Sequence, residues 1–144
     1  MTSLAEQRIA VVREHMASEI THDFETTLST FDHARYELFG AGQVFDGREA
    51  VMNYFRASRR TFPDQANEPI LLRAMDDAVL AEFWLTGTHN GPLQTPQGEL
   101  APTGKRIRVR MAAVFEFAPG GTGIVCERVY FDSAAILRQL TNAD

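Results

Sequence analysis

The sequence predicts an α+β fold: a cone built from a curved antiparallel sheet wrapped around three N-terminal helices, plus a short C-terminal helix. Three observations predict it. Apolar residues at helical spacing dominate the first 60 or so positions. Long alternating stretches separated by turn residues follow. A last apolar run opens on a good capping residue. Helices gathered on one face of an antiparallel sheet are one of the few ways to bury both apolar surfaces.

Residues 3 to 18 read as the first helix, because Ile9, Val12, Met16 and Ile20 recur at steps of three and four. A second short helix carries Phe24, Leu28 and Phe31 on one face, with Thr21 or Asp23 as its cap. His33 to Phe39 is assigned as a short strand. The third helix covers residues 48 to 60, where Asp46 and Glu49 form a plausible capping box and Val51, Tyr54 and Phe55 an apolar face. Phe62-Pro63-Asp64 ends it, since a residue before proline avoids helical angles. Strands are then expected over Ile70 to Ala74, Val79 to His89, Ile107 to Phe117 and Ile124 to Phe131. A Gly-, Pro- and Gln-rich loop runs up to Gly104, and Asp132 caps the final helix through Ile136, Leu137 and Leu140.

The 144 residues suit a single domain, 1–144. Hydrophobic residues at 44% and charged residues at 23% give an ordinary globular balance. Fourteen Lys and Arg against nineteen Asp and Glu leave a net charge of −5, without the basic footprint of a nucleic-acid binder or a polybasic membrane anchor. The lone Cys126 cannot form an internal disulfide, which suits a reducing, cytoplasmic setting. No apolar run approaches the ~20 residues of a membrane span, and Met1 to Ala10 has no signal-peptide character. The four histidines and the acids show no metal-ligand spacing, so neither metal nor cofactor is expected.

Several short motifs occur in a recognisable order. They are Phe45-Asp46-Gly47-Arg48-Glu49-Ala50-Val51, Gly87-Thr88-His89, Pro102-Thr103-Gly104-Lys105, and Tyr130-Phe131-Asp132 leading to Arg138-Gln139-Leu140. Together they resemble the SnoaL-like polyketide cyclase branch of the nuclear transport factor 2-like superfamily, over nearly the whole chain. The resemblance implies a cone with an apolar pocket, and a homodimer formed through the outer sheet face. It leaves the activity open, because this fold hosts unrelated chemistries. In related cyclases and in limonene epoxide hydrolase a carboxylate on the last strand does acid–base work. The resemblance puts that position at Val129, and two further polar positions of the hydrolase near Phe83 and Leu85. All three are apolar here, which argues against epoxide hydrolysis by that route.

Strand side chains repeat with period two. If Val129 faces the interior, so do Val125, Glu127 and Phe131; on neighbouring strands Val109, Met111, Ala113 and Phe115 join them, with Phe83, Leu85 and His89. The expected lining is apolar and suits a small apolar or aromatic ligand. Glu127 is the exception. A carboxyl in apolar surroundings has its pKa raised toward the range useful for proton transfer, so Glu127 is the candidate acid–base residue; the alternative is a structural ion pair. Tyr36, near a position where a family hydrolase uses a tyrosine, is a candidate for holding a substrate oxygen, or a plain core tyrosine. With Phe83 assumed beside Glu127, His89 lies roughly 20 Å away along its strand, at the mouth of the pocket or bracing the following loop. His15 and His33 carry no motif. Trp84, Arg108 and Arg110 take the opposite phase and form the candidate dimer face. Three functions compete: a cofactor-independent cyclase, isomerase or dehydratase acting on a polyketide-like or terpenoid-like molecule, a non-catalytic binding protein for the same kind of ligand, and an interaction module whose outer sheet face pairs with a different protein; the motif order favours the first two.

Overall fold

In the computed structural model, which describes residues 2–142, helix α1 (Leu4–Ile20) begins where Ser3 accepts a hydrogen bond from the Glu6 amide. Val12 and Met16 of the expected stripe are buried, Ile9 is half-buried, and Ile20 is exposed. Arg8, His15 and Ser18 are buried instead, so the inward face is rotated toward polar residues. Helix α2 (Phe24–Ser29) is capped by Asp23, which accepts from the Thr26 amide. Helix α3 (Arg48–Thr61) starts differently from the expected capping box. Gly47, at φ 93°, occupies the cap position and no side chain caps the helix. Asp46 is drawn away to His33 and Arg35, whose side-chain nitrogens lie 2.7 and 3.1 Å from its carboxylate. Phe62 ends α3 in an extended conformation before Pro63, as expected.

The main sheet has six strands: β1 (Arg35–Leu38), β2 (Gln43–Asp46), β3 (Ala66–Ala74), β4 (Ala78–Thr88), β7 (Arg106–Phe117) and β8 (Ile124–Tyr130). Their order is β2-β1-β8-β7-β4-β3. The helices precede an antiparallel-rich sheet, so the α+β class holds. Two features differ from the sequence reading. The segment after α2 folds back as a β1–β2 hairpin, and β1 runs parallel to β8, giving one parallel pair in the sheet. Strand β3 also begins earlier, at Ala66, and tolerates Pro69 because it is an edge strand with a register shift between Pro69 and Leu71. The Gly/Pro/Gln-rich segment forms a small hairpin of its own, β5 (Leu93–Thr95) and β6 (Gly98–Leu100). Helix α4 (Ser133–Thr141) closes the chain, with Asp132 accepting from the amides of Ala134 and Ala135.

The period-two reading holds through most of β7, where Val109, Met111, Ala113, Phe115 and Phe117 are all buried. It breaks at the start of β8. A bulge sets Glu116 opposite Cys126 and Phe117 opposite Ile124, so Val125 falls out of register. Ile124, fully buried, takes the inward place expected of Val125.

Arg8 fastens the far end of α1 to two turns of the sheet. Its guanidinium donates to the carbonyls of Gly121, Asp76 and Ala118 at 2.8, 2.8 and 3.0 Å, and to the Asp77 carboxylate at 3.3 Å. Removing this buried donor takes their side-chain hydrogen bonds from the Gly121 and Asp76 carbonyls, while the Ala118 carbonyl keeps the Gly121 amide. We expect Arg8→Met to cost about 3 kcal/mol, read from urea unfolding at constant pH.

Candidate active site

The site is assembled from two adjacent strands and one helix. Tyr36 on β1 and Glu127 on β8 are direct neighbours in the parallel register, and Phe115 on β7 lies opposite Glu127 on its other side. Their side chains therefore share the concave face of the sheet. α1 crosses this face and lowers His15 between them. His15 Nε2 is 2.8 Å from Glu127 Oε1 and 2.9 Å from the Tyr36 hydroxyl. The imidazole is walled edge-on by Phe31 and Phe115, with ring centroids 5.3 and 5.2 Å away. His15, Tyr36 and Glu127 are all buried.

Hydrogen-bond accounting fixes the protons on His15. Thr30 Oγ1 donates its single proton to the Thr27 carbonyl at 2.5 Å, so toward His15 Nδ1, 2.8 Å away, it accepts. Tyr36 donates its single proton to Glu19 Oε1 at 3.0 Å, so toward Nε2 it also accepts. Both ring nitrogens then carry hydrogen, and His15 is an imidazolium facing the Glu127 carboxylate. Burial disfavours the charged ring, but the charge and hydrogen bonding of Glu127, aided by Glu19, outweigh it and raise the His15 pKa above 6.5. Burial raises the Glu127 carboxyl above 4.5, against the opposing pull of His15. Burial, reinforced by Glu127 and Glu19, pushes the Tyr36 phenol well above 10. Nε2–H points at Tyr36, which leaves Glu127 Oε1 at ion-pair distance but off the line of a good hydrogen bond.

Glu127 and Tyr36 line a cavity of about 1340 Å³. Phe83, Leu85, Met111, Val129 and Phe131 line it too, and Glu19 and Met16 of α1 add to the wall. The β5–β6 hairpin and the residues before it approach from the other side through Pro92, Leu93 and Gln97. Val109 is buried in the core and is not part of this wall. Nor is His89. Its Nδ1 accepts from the Thr103 amide at 3.1 Å, its ring packs on Phe62, and it braces the loop that returns to β7. Burial lowers its pKa. The register assumed from sequence also changes. Glu127 faces Phe115, which faces Val79; Phe83 faces Met111, four residues further along β4. Among the described residues no three metal-ligating side chains converge.

The SnoaL-like polyketide cyclase family profile matches residues 7–140, and the chain belongs to that family. Solved structures agree on the fold. A candidate SnoaL-like polyketide cyclase of Jannaschia sp. CCS1 is 16% identical with a TM-score of 0.85, covering 100% of this chain and 98% of its own. Bal32a, from a soil-derived mobile gene cassette, is 23% identical with a TM-score of 0.77, covering 96% and 99%. TerC, co-crystallised with polyporic acid, is 12% identical with a TM-score of 0.74, covering 94% and 99%. A search of curated protein sequences finds no match.

The sequence reading missed His15 and Glu19. A signal existed: Val12, His15, Met16 and Glu19 sit three and four apart, so both polar residues fall on the apolar face of α1. The buried pair also has a pH signature. Glu127 and His15 both hold protons more tightly folded than free, so stability from Glu127 is lost as pH rises above 4.5, and from His15 as it rises above 6.5. In Glu127→Gln the imidazole loses its main counter-charge, and burial with Arg59 pulls its pKa down. We expect the stability of the wild type relative to Glu127→Gln to fall as pH rises above 4.5, and further above 6.5, measured by urea unfolding at each pH.

Proposed function

We propose that the protein is a cofactor-independent acid–base enzyme of the cyclase, isomerase or dehydratase type, acting on an apolar polyketide-like or terpenoid-like molecule, with Glu127 as its base. The observation that carries this reading is a buried carboxylate on a cavity wall, with its pKa raised and an imidazolium 2.8 Å behind it. A carboxylate removed from water is a stronger base, and the fixed cation keeps it ionised and oriented. Glu127 would take a proton from carbon next to a carbonyl. The C–H electron pair enters the enolate, which is reprotonated elsewhere or attacks a second carbonyl. His15, fully buried, positions Glu127. Tyr36, whose proton is engaged by Glu19, serves the same cluster in this arrangement rather than a substrate oxygen.

The cavity is larger than the roughly 300–1,000 Å³ of most small-molecule pockets, which favours a multi-ring or extended substrate. Val129, where relatives carry their carboxylate, contributes only an apolar wall. That favours, as the second reading, a carrier of the same class of ligand. Deuterium incorporation at the activated CH₂ of β-tetralone in deuterium oxide, followed by NMR, separates the two. The enzyme reading requires exchange faster than buffer, and a loss of about 10²–10⁴-fold in Glu127→Gln. Binding of β-tetralone without accelerated exchange supports the carrier.

We also infer a homodimer through the outer sheet face. Arg108 lies over the Trp84 ring at 4.0 Å and Arg110 at 5.3 Å, on a face kept orderly by the Arg108–Glu68 and Arg110–Glu82 pairs. Residence in the cytoplasm fits a single cysteine whose thiol burial pushes up to about 11. Sedimentation should give twice the 16.1 kDa chain mass, and Trp84→Glu should reduce it to the single mass.

A further inference from the structure

We propose that Glu19 is the proton port of this site: a proton taken up at Glu127 leaves through His15 and Tyr36 to the Glu19 carboxylate. The inference rests on the reading of Glu127 as the proton-accepting group. A base sealed inside a protein needs an outlet, because a proton left on it blocks the next turnover. Glu127 opens only onto the cavity, where bound substrate covers it during turnover, with a side chain 6% exposed, and His15 is 0% exposed. Glu19 is 17% exposed and lines the cavity. The groups between them are in contact, and a small tilt of the His15 ring turns Nε2 from the Tyr36 oxygen to Glu127 Oε1, 2.8 Å away. Nε2–H of His15 points at the Tyr36 oxygen at 2.9 Å, and the Tyr36 hydroxyl points at Glu19 Oε1 at 3.0 Å. Arg59 steadies this part of α1 by donating to the Glu19 carbonyl at 3.0 Å.

The transfer balances. The Nε2 proton moves to the Tyr36 oxygen as the Tyr36 proton moves to Glu19. The Nε2 lone pair so released takes the proton from Glu127. One proton enters at Glu127 and one appears on Glu19, while His15 and Tyr36 end as they began. Glu19 is therefore a positioning and relay residue, one helical turn from His15 because the same helix face must serve both.

The test needs no substrate. Exchange of the His15 Nε2 proton with deuterium oxide is followed by NMR on the ligand-free protein labelled with ¹⁵N-histidine. Glu19→Gln keeps an oxygen that accepts from Tyr36 but cannot take a proton; Tyr36→Phe removes the middle of the path. Exchange should slow by about ten-fold or more in each variant that folds, since it then requires opening of the protein. The Nδ1 proton, held by Thr30 on the other side, should exchange at its wild-type rate and reports any general loosening. An unchanged Nε2 rate in Glu19→Gln, or equal slowing of Nδ1, overturns the proposal. The base reading fails separately, if Glu127→Gln still exchanges β-tetralone.

Discussion

The constraint around which the rest is arranged is the burial of an ion pair between α1 and β8. Removing two charges from water is expensive, and their attraction repays the cost only when the remaining donors and acceptors are satisfied. Here the compensation comes from three segments. Thr30, after α2, satisfies one ring nitrogen, Tyr36 of β1 the other, and Glu19 of α1 takes the Tyr36 proton. Thr30 is itself anchored, since its carbonyl accepts from the Ile124 amide where β8 begins. The pair thus dictates how deeply α1 sits, and Arg8 pins the same helix at the sheet's far turns. A helix with an all-apolar inner face could slide or rotate at small cost. One carrying His15 over Glu127 cannot.

The position of the carboxylate within the cone follows from strand geometry. Val129 and Glu127 are two residues apart on β8, so both face inward and are separated by roughly 7 Å along the strand. The two positions share a face but not their neighbours. At Glu127 those neighbours are Tyr36 across the parallel ladder and Phe115 across the antiparallel one. At this level α1 brings His15 to 2.8 Å from the carboxylate. Glu127 and the histidine on α1 are therefore one feature, and Val129 adds an apolar stretch to the cavity wall.

The two faces of the sheet spend their charges differently. On the convex side Arg110 is matched to Glu82 on the neighbouring strand and Arg108 to Glu68 on β3, beyond β4, and both arginines lie over Trp84. These pairs are half-exposed, so water screens them and their worth lies in order more than in stability. Within the cone, a few buried polar groups have no screening, and each needs a named partner.

Much of the architecture was legible in the residues. The strand limits of β4, β7 and β8 and the caps at Asp23 and Asp132 are local matters of alternation and hydrogen bonding, which a short window contains. So was the inward face of Glu127, because period two carries direction along a strand from one known point. The β1–β2 hairpin, the parallel β1–β8 pairing and the bulge at Val125 were not legible, because they depend on which strand lies alongside. His15 was hidden for the same reason. Its place on the apolar face of α1 is written in the sequence, but its meaning depends on β8 lying beneath it, some 110 residues later. The sequence by itself determined the limits of the long strands and the inward phase of Glu127 and Val129. Only the tertiary structure decided that an imidazole, a phenol and two carboxylates meet, since that contact joins segments whose separation no local rule encodes.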